Sequence, residues 1–170
     1  MEDVQTMAMI DDIDLKILSL IQKSARTTNA EIARQVEMAP SAVFARTRRL
    51  EDRGVIEGYE VRLNPQALGL NLVAFVSVLT EERRGQPDTG QLLAQIPEVQ
   101  EVYRVAGEDG YLVKLRTTCA EALGRLLQEQ INTIAAVRST KTAIVLQTLK
   151  EERNLPLAAP AEGVRHIRVA

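Results

Sequence analysis

An α+β fold in two parts, a bundle of short helices followed by a β-α-β-β-α-β layer, is predicted by three features of this 170-residue chain. Residues 28–50, TNAEIARQVEMAPSAVFARTRRL, read as two short helices around a tight turn. A helical apolar period holds up to Gly54, and beyond Leu70 it gives way to extended runs rich in β-branched residues. Between the two regimes Asn64-Pro65 breaks the chain, which places one domain at 1–64, a second at 65–150 and a C-terminal tail at 151–170.

In chain order, the residues before Met9 show no period and are expected to fray. A first helix is predicted over 11–25, with aspartates at its positive end and Ile13, Leu15, Ile17, Leu18, Leu20 and Ile21 as a broad apolar stripe. The second starts at Thr28, whose hydroxyl and the Glu31 carboxylate have the spacing of a reciprocal cap, and it buries Ile32 and Val36. The turn holds Glu37, Met38 and Ala39, and Pro40 suits the first position of the third helix, where its missing N–H is not needed. Val43, Thr47 and Leu50, with Phe44 beside them, are read as the buried face. Ser41, Ala42, Ala45, Arg46 and Arg49 are read as pointing away. Gly54 stops that helix, and the alternating run VIEGYEVRL reads as a short strand or wing. The first domain is therefore expected to be a winged helix-turn-helix.

In the second domain, residues 73–79 form a strand that is apolar on both faces. Gly85 to Pro87 break it, and a short helix with Leu92, Leu93 and Ile96 follows. Strands at 99–106 and 111–116 are joined by the turn Gly107-Glu108-Asp109-Gly110. A helix over 120–136 and a last strand over 140–149, with Thr142, Ile144, Leu146 and Thr148 on one face, complete a ferredoxin-like unit. Such a unit leaves one sheet face bare, and an apolar bare face needs a partner, most simply a second copy of the chain.

Small residues followed by guanidiniums on an exposed helix suit the DNA major groove, because the small side chains admit the backbone to base edges and arginine grips guanine or phosphate bidentately. An ordinary solvated arginine face has the same composition. Net charge is −2, so attraction to nucleic acid must be local, at Arg46, Arg48, Arg49 and Arg53. The single cysteine, Cys119, rules out an intrachain disulfide and a cysteine-based zinc site. It is expected to be a buried core thiol. His166 is the single histidine and lies in the tail, so neither a histidine metal site nor a histidine-assisted nucleophile has its parts. Glu81-Glu82 and Glu151-Glu152 read as solubilising charges, while Leu155-Pro156-Leu157 is a candidate contact with a neighbouring subunit. No leader and no run of membrane-spanning length is present, which points to the cytoplasm. No enzyme, metal or cofactor is implied.

The segments DDIDLKIL, RTRRLEDRGVIEGYEVRLNP and IPEVQEVYRVAGEDGYLVKLRT, in this order, resemble the Lrp/AsnC group of leucine-responsive or feast/famine transcription regulators, and the resemblance extends from about Ile10 to Leu155. It implies double-stranded DNA as partner, homodimers that assemble into tetramers or octamers, and an amino-acid-like effector bound between dimers. On this resemblance the recognition helix is 40–53. Ser41, Ala42, Ala45, Arg46 and Arg49 face DNA, and Arg48 and Arg53 take phosphate. The family's turn glycine and capping serine are replaced by Glu37 and Ala39, at an expected cost of about 1 kcal/mol each. The effector loop corresponds to Gly107, Glu108, Asp109, Gly110, Tyr111 and Leu112, with Gly110 where many members have aspartate. By its residues alone GEDG is also a good hairpin turn. Two other readings stay open from the residues: an architectural DNA-binding protein without effector, and a small-molecule enzyme domain.

Overall fold

The computed structural model describes residues 10–81, 87–107 and 110–157. They fall into two compact units, one drawn from Met1–Arg62 and Glu152–Ala170 and the other from Leu63–Glu151. The expectations for the chain start, for Gly85, for Glu108 and Asp109 and for His166 lie outside the described residues. Among the described residues no helix is long and apolar enough to cross a membrane.

The first unit is built from α1 (Asp12–Lys23), α2 (Asn29–Val36) and α3 (Pro40–Asp52). Two of these helices begin with reciprocal caps. At α1 the Asp14 amide donates to the Asp11 carboxylate at 2.7 Å and the Asp11 amide donates to Asp14 at 3.3 Å. At α2 the Thr28 amide donates to Glu31 at 2.7 Å and the Glu31 amide donates to the Thr28 hydroxyl at 3.3 Å, as the spacing predicts. Between α2 and α3, Glu37 takes the left-handed conformation (φ 56°, ψ 47°) and Ala39 caps α3 with no side-chain bond. Ile17, Ile32, Ala33 and Val43 form the core, with Ile13, Leu20, Ile21, Val36 and Met38 packed against it. Gly54, at φ 68°, turns the chain out of α3.

One expectation fails here. Residues 55–63, the run VIEGYEVRL, form no strand, and Val61 is 83% exposed. Alternation makes a segment capable of pairing, but a ladder also needs a second backbone, and no described strand lies alongside. The end of the described chain bonds to the first unit: the Gln22 side chain donates to the Leu155 carbonyl and accepts from the Leu155 amide, both at 2.9 Å, and Arg153 pairs with Glu60 at 2.7 Å.

The second unit contains β1 (Leu72–Thr80), α4 (Thr89–Ala94), β2 (Val99–Arg104), β3 (Tyr111–Thr117), α5 (Ala120–Leu126) and β4 (Val137–Ile144). The antiparallel sheet has the order β2-β3-β1-β4, as a ferredoxin-like unit requires. Ala74, Val76 and Val78 of β1 and Tyr111, Val113 and Leu115 of β3 turn to the helices and meet Leu93, Ile96, Leu123, Leu126 and Ile131. The register sets Val76 between Val113 and Thr142.

Here too the structure departs from the sequence reading. The helix expected over 120–136 widens after Leu126 into a π-helical turn, Leu127–Ile131, where the Asn132 amide reaches back to the Leu127 carbonyl at 2.8 Å. β4 stops at Ile144, since its register with β1 has by then reached Ala74 and only one more bond, Val145 amide to Val73 carbonyl, is left to make. Leu146 is consequently solvent-exposed. Cys119 is exposed, not buried, because it caps α5 from outside the helix while Leu123 and Leu126 fill the core. The open sheet face is mixed, with Phe75, Leu79 and Tyr103 exposed around a charged centre. There Lys114, directly opposite Phe75, binds Glu101 at 3.2 Å and Glu151 at 2.6 Å. Arg116 adds a bond to Glu151 at 3.3 Å, so Glu151 is a structural ion-pair partner and not a solvated tail charge. Glu81 likewise pairs with Arg138. The Glu151 carboxylate, and after it Glu101, holds the Lys114 ammonium above its ordinary pKa despite burial.

The turn between α2 and α3 yields a stability test. Glu37→Gly relieves a left-handed conformation and Ala39→Ser supplies the missing cap, so each is expected to stabilise the first unit by about 1 kcal/mol in denaturant melts.

Candidate nucleic-acid interface

α3 presents two different faces to its surroundings. Val43, Thr47 and Leu50 are buried, and Ser41, Phe44, Ala45, Arg48, Arg49 and Arg53 are exposed, with Ala42 and Arg46 between. Phe44 is a correction to the sequence reading: it is 59% exposed. Next to Val43 it is rotated by roughly a quarter turn from the buried stripe, and the small core of this unit does not extend that far.

Arg46 departs from its expected role in the other direction. Its guanidinium lies 2.6 Å from Asp11 and 2.8 Å from Asp14, and its side chain keeps only 23% of its exposure. Asp14 is fully buried, and it also receives Arg49 at 3.4 Å. One carboxylate thus closes the α1 cap and grips α3 at two successive turns. Burial raises the Asp11 pKa, but the Asp14 amide and the Arg46 guanidinium together hold it below the usual carboxylate value. The Asp11 and Asp14 carboxylates in turn raise the Arg46 pKa, the hydrogen bond to Asp11 foremost. Arg48, 65% exposed, has among the described residues only long contacts along its own helix, to Glu51 at 3.4 Å and Asp52 at 3.6 Å. Such exposed pairs contribute little and exchange readily for phosphate.

By its helical position Arg46 belongs with the outward residues, and no local pattern marks Asp14 as its partner. The D-x-x-D spacing of Asp11 and Asp14 repeats the T-x-x-E of the next helix and signals the cap. Nothing local signals the arginines.

In the second unit, the described part of the loop 107–112 is shaped by glycine. Gly107 has φ 133°, and the Gly110 amide donates to the Val78 carbonyl at 3.0 Å. A Cβ on Gly110 would lie 2.4 Å from the Thr80 hydroxyl, so an aspartate here requires Thr80 to move. Tyr111 is buried beside Gly90, with the Arg104 guanidinium 6.0 Å from its ring, and Leu112 is half-buried on the row of Ser77 and Tyr103.

A family model described as winged helix-turn-helix DNA-binding matches residues 10–57, and one described as the Lrp/AsnC ligand binding domain matches residues 73–155. The chain belongs to the Lrp/AsnC family. It is 40% identical over 144 residues to the HTH-type transcriptional regulator LrpA of Mycobacterium tuberculosis, covering 85% of this chain and 95% of the relative. The leucine-responsive regulatory protein of Escherichia coli is 34% identical over 150 residues, 86% of this chain and 90% of that one. Among solved structures, a feast or famine regulatory protein of M. tuberculosis complexed with L-methionine superposes with a TM-score of 0.78 at 41% identity, covering 86% of this chain and 98% of that chain. This Lrp/AsnC chain is accordingly a DNA-binding transcriptional regulator, and the relatives are regulators, not enzymes.

Arg46→Ala is expected to cost about 2–3 kcal/mol, less than the roughly 3–5 of a wholly buried pair because Arg49 still reaches Asp14; an unchanged melt would show that the clamp does not carry stability. Because the Asp11 pKa is depressed on folding, its contribution is present above the ordinary carboxylate pKa and is lost as pH falls through the depressed value. Melts of wild type and Asp11→Asn should therefore begin to converge as pH falls below about 4 and meet below the depressed value.

Proposed function

We propose that this regulator reads duplex DNA with the outward face of α3, as a homodimer or a higher assembly, and that its second unit senses an amino-acid-like metabolite. The observation that carries the DNA reading is the division of labour on α3. Ser41, Ala42 and Ala45 leave room for base edges near its start, Arg48, Arg49 and Arg53 supply charge further along, and the buried Asp14 holds the helix. In this reading Arg46 positions the helix and touches no base. Paired heads meet half-sites about one DNA turn apart, which is why self-association suits such a reader. The open sheet face around Phe75 and Leu79 is the proposed dimer contact, and assembly continues to a tetramer or octamer. The protein acts where its DNA is, in the cytoplasm.

The effector reading rests on the loop 107–112 and on the neighbouring structure that holds L-methionine. The effector seats against Gly107, Glu108, Asp109, Gly110, Tyr111 and Leu112 between dimers and favours one assembly, which changes the spacing of the DNA heads. One observation favours the rival, an architectural protein without effector: Gly110 offers no carboxylate, and one placed there needs Thr80 to move.

Fluorescence anisotropy on DNA from upstream of its own gene, at fixed salt with and without pooled amino acids, separates the two. A shifted binding curve supports sensing, and an unshifted one selects the architectural reading. Phe75→Glu is expected to reduce the solution mass to that of a monomer in light scattering, and an unchanged mass rejects the sheet-face contact.

A further inference from the structure

Phe44 is the large apolar residue of α3 that the core does not take up. A single exposed aromatic carries little meaning by itself. This one has a defined place. Ser41, Phe44, Ala45 and Arg48 follow the i, i+3, i+4, i+7 spacing that puts four side chains on one helix face, and all four are exposed. The face is small and uncharged at Ser41 and Ala45 and cationic at Arg48, so it complements a phosphate-lined groove whose floor is made of base edges.

Phe44 lies in the first half of α3, the part of a recognition helix that reaches base edges. Among the groups a base pair shows in the major groove, the 5-methyl of thymine is the apolar one, and phenylalanine is a side chain that meets it. We propose that Phe44 is a specificity-determining residue that packs against a thymine 5-methyl group in the major groove. The inference rests on the reading of α3's outward face as the DNA contact. It makes thymine preference at one position of each half-site a property of an apolar contact, one that needs no hydrogen bond and leaves the salt dependence untouched. Arg48, by contrast, carries the sequence-independent affinity.

The test starts from duplexes enriched from a random pool by the wild-type protein, in which each thymine is replaced in turn by deoxyuridine, removing only the methyl group. Wild type is expected to bind about three- to fivefold more weakly when the contacted methyl is lost, the effect of exposing one buried methyl. Phe44→Ala should bind the two duplexes equally, and Phe44→Leu should keep part of the difference. If Phe44→Ala discriminates between them as wild type does, or if wild type is indifferent at every thymine, the proposal is overturned. Arg48→Ala separates this failure from failure of the underlying reading. It should weaken binding to all duplexes and flatten the salt dependence, whereas unchanged affinity would show that this face of α3 does not touch DNA at all. Because Phe44 is 59% exposed, its variants should melt close to wild type.

Discussion

The first unit depends on one buried carboxylate. Isolating Asp14 from water costs several kcal/mol unless its oxygens are satisfied, and three groups satisfy them: the Asp11 amide, Arg46 and Arg49. Two of the three belong to α3. The carboxylate is therefore satisfied only when α3 lies in one rotation and at one height against α1, and that rotation determines which side chains α3 turns outward. Apolar packing of Ile17, Ile32 and Val43 brings the helices together, but packing is tolerant of small rotations. The directional ion pair is not. With Arg46 drawn toward α1, the outward face centres on Ser41, Ala45 and Arg48, and Phe44 comes to the surface at its edge.

The second unit works by a different constraint, the need of each strand for a neighbour. β1 and β3 lie in the middle of the sheet, pair on both sides and supply the core, while β2 and β4 pair on one side only. β4 ends where β1 can no longer receive its hydrogen bonds. The same constraint explains why residues 55–63 make no strand: they have the alternation and lack the second backbone. At the far end of the sheet Gly110 approaches Thr80 and Val78 so closely that a Cβ there would lie 2.4 Å from the Thr80 hydroxyl.

Much of this was legible in the sequence. The cap of α2, the Pro40 start and the order of elements in the second unit follow from spacing, and the structure agrees on each; the turn at Glu37 and Ala39 was marked only by the family resemblance, which has glycine and serine there. The candidate interface was legible as a helix and in most of its face, with Val43, Thr47 and Leu50 inward and Ser41, Ala45 and Arg49 outward. Arg46 and Phe44 changed places relative to the sequence reading, the arginine turning inward and the aromatic outward. Hydrophobicity alone ranks the two in the opposite order. Cys119 moved from the expected core to the surface for a similar reason, since its cap position and not its apolar character sets its exposure.

What the sequence by itself determined, then, is whatever forms within one or two turns of backbone: caps, turns, helix starts, strand periodicity and the family motifs that follow from them. These rest on hydrogen bonds and side chains a few residues apart. Only the tertiary structure decided which surface α3 offers, where β4 ends and that Glu151 joins Lys114 and Arg116. Each of these depends on groups far apart along the chain, such as Asp14 and Arg46, separated by 32 positions. Spacing carries no information about such pairs, because the intervening chain can place them together or apart at similar local cost, and only the sum of all contacts selects one arrangement.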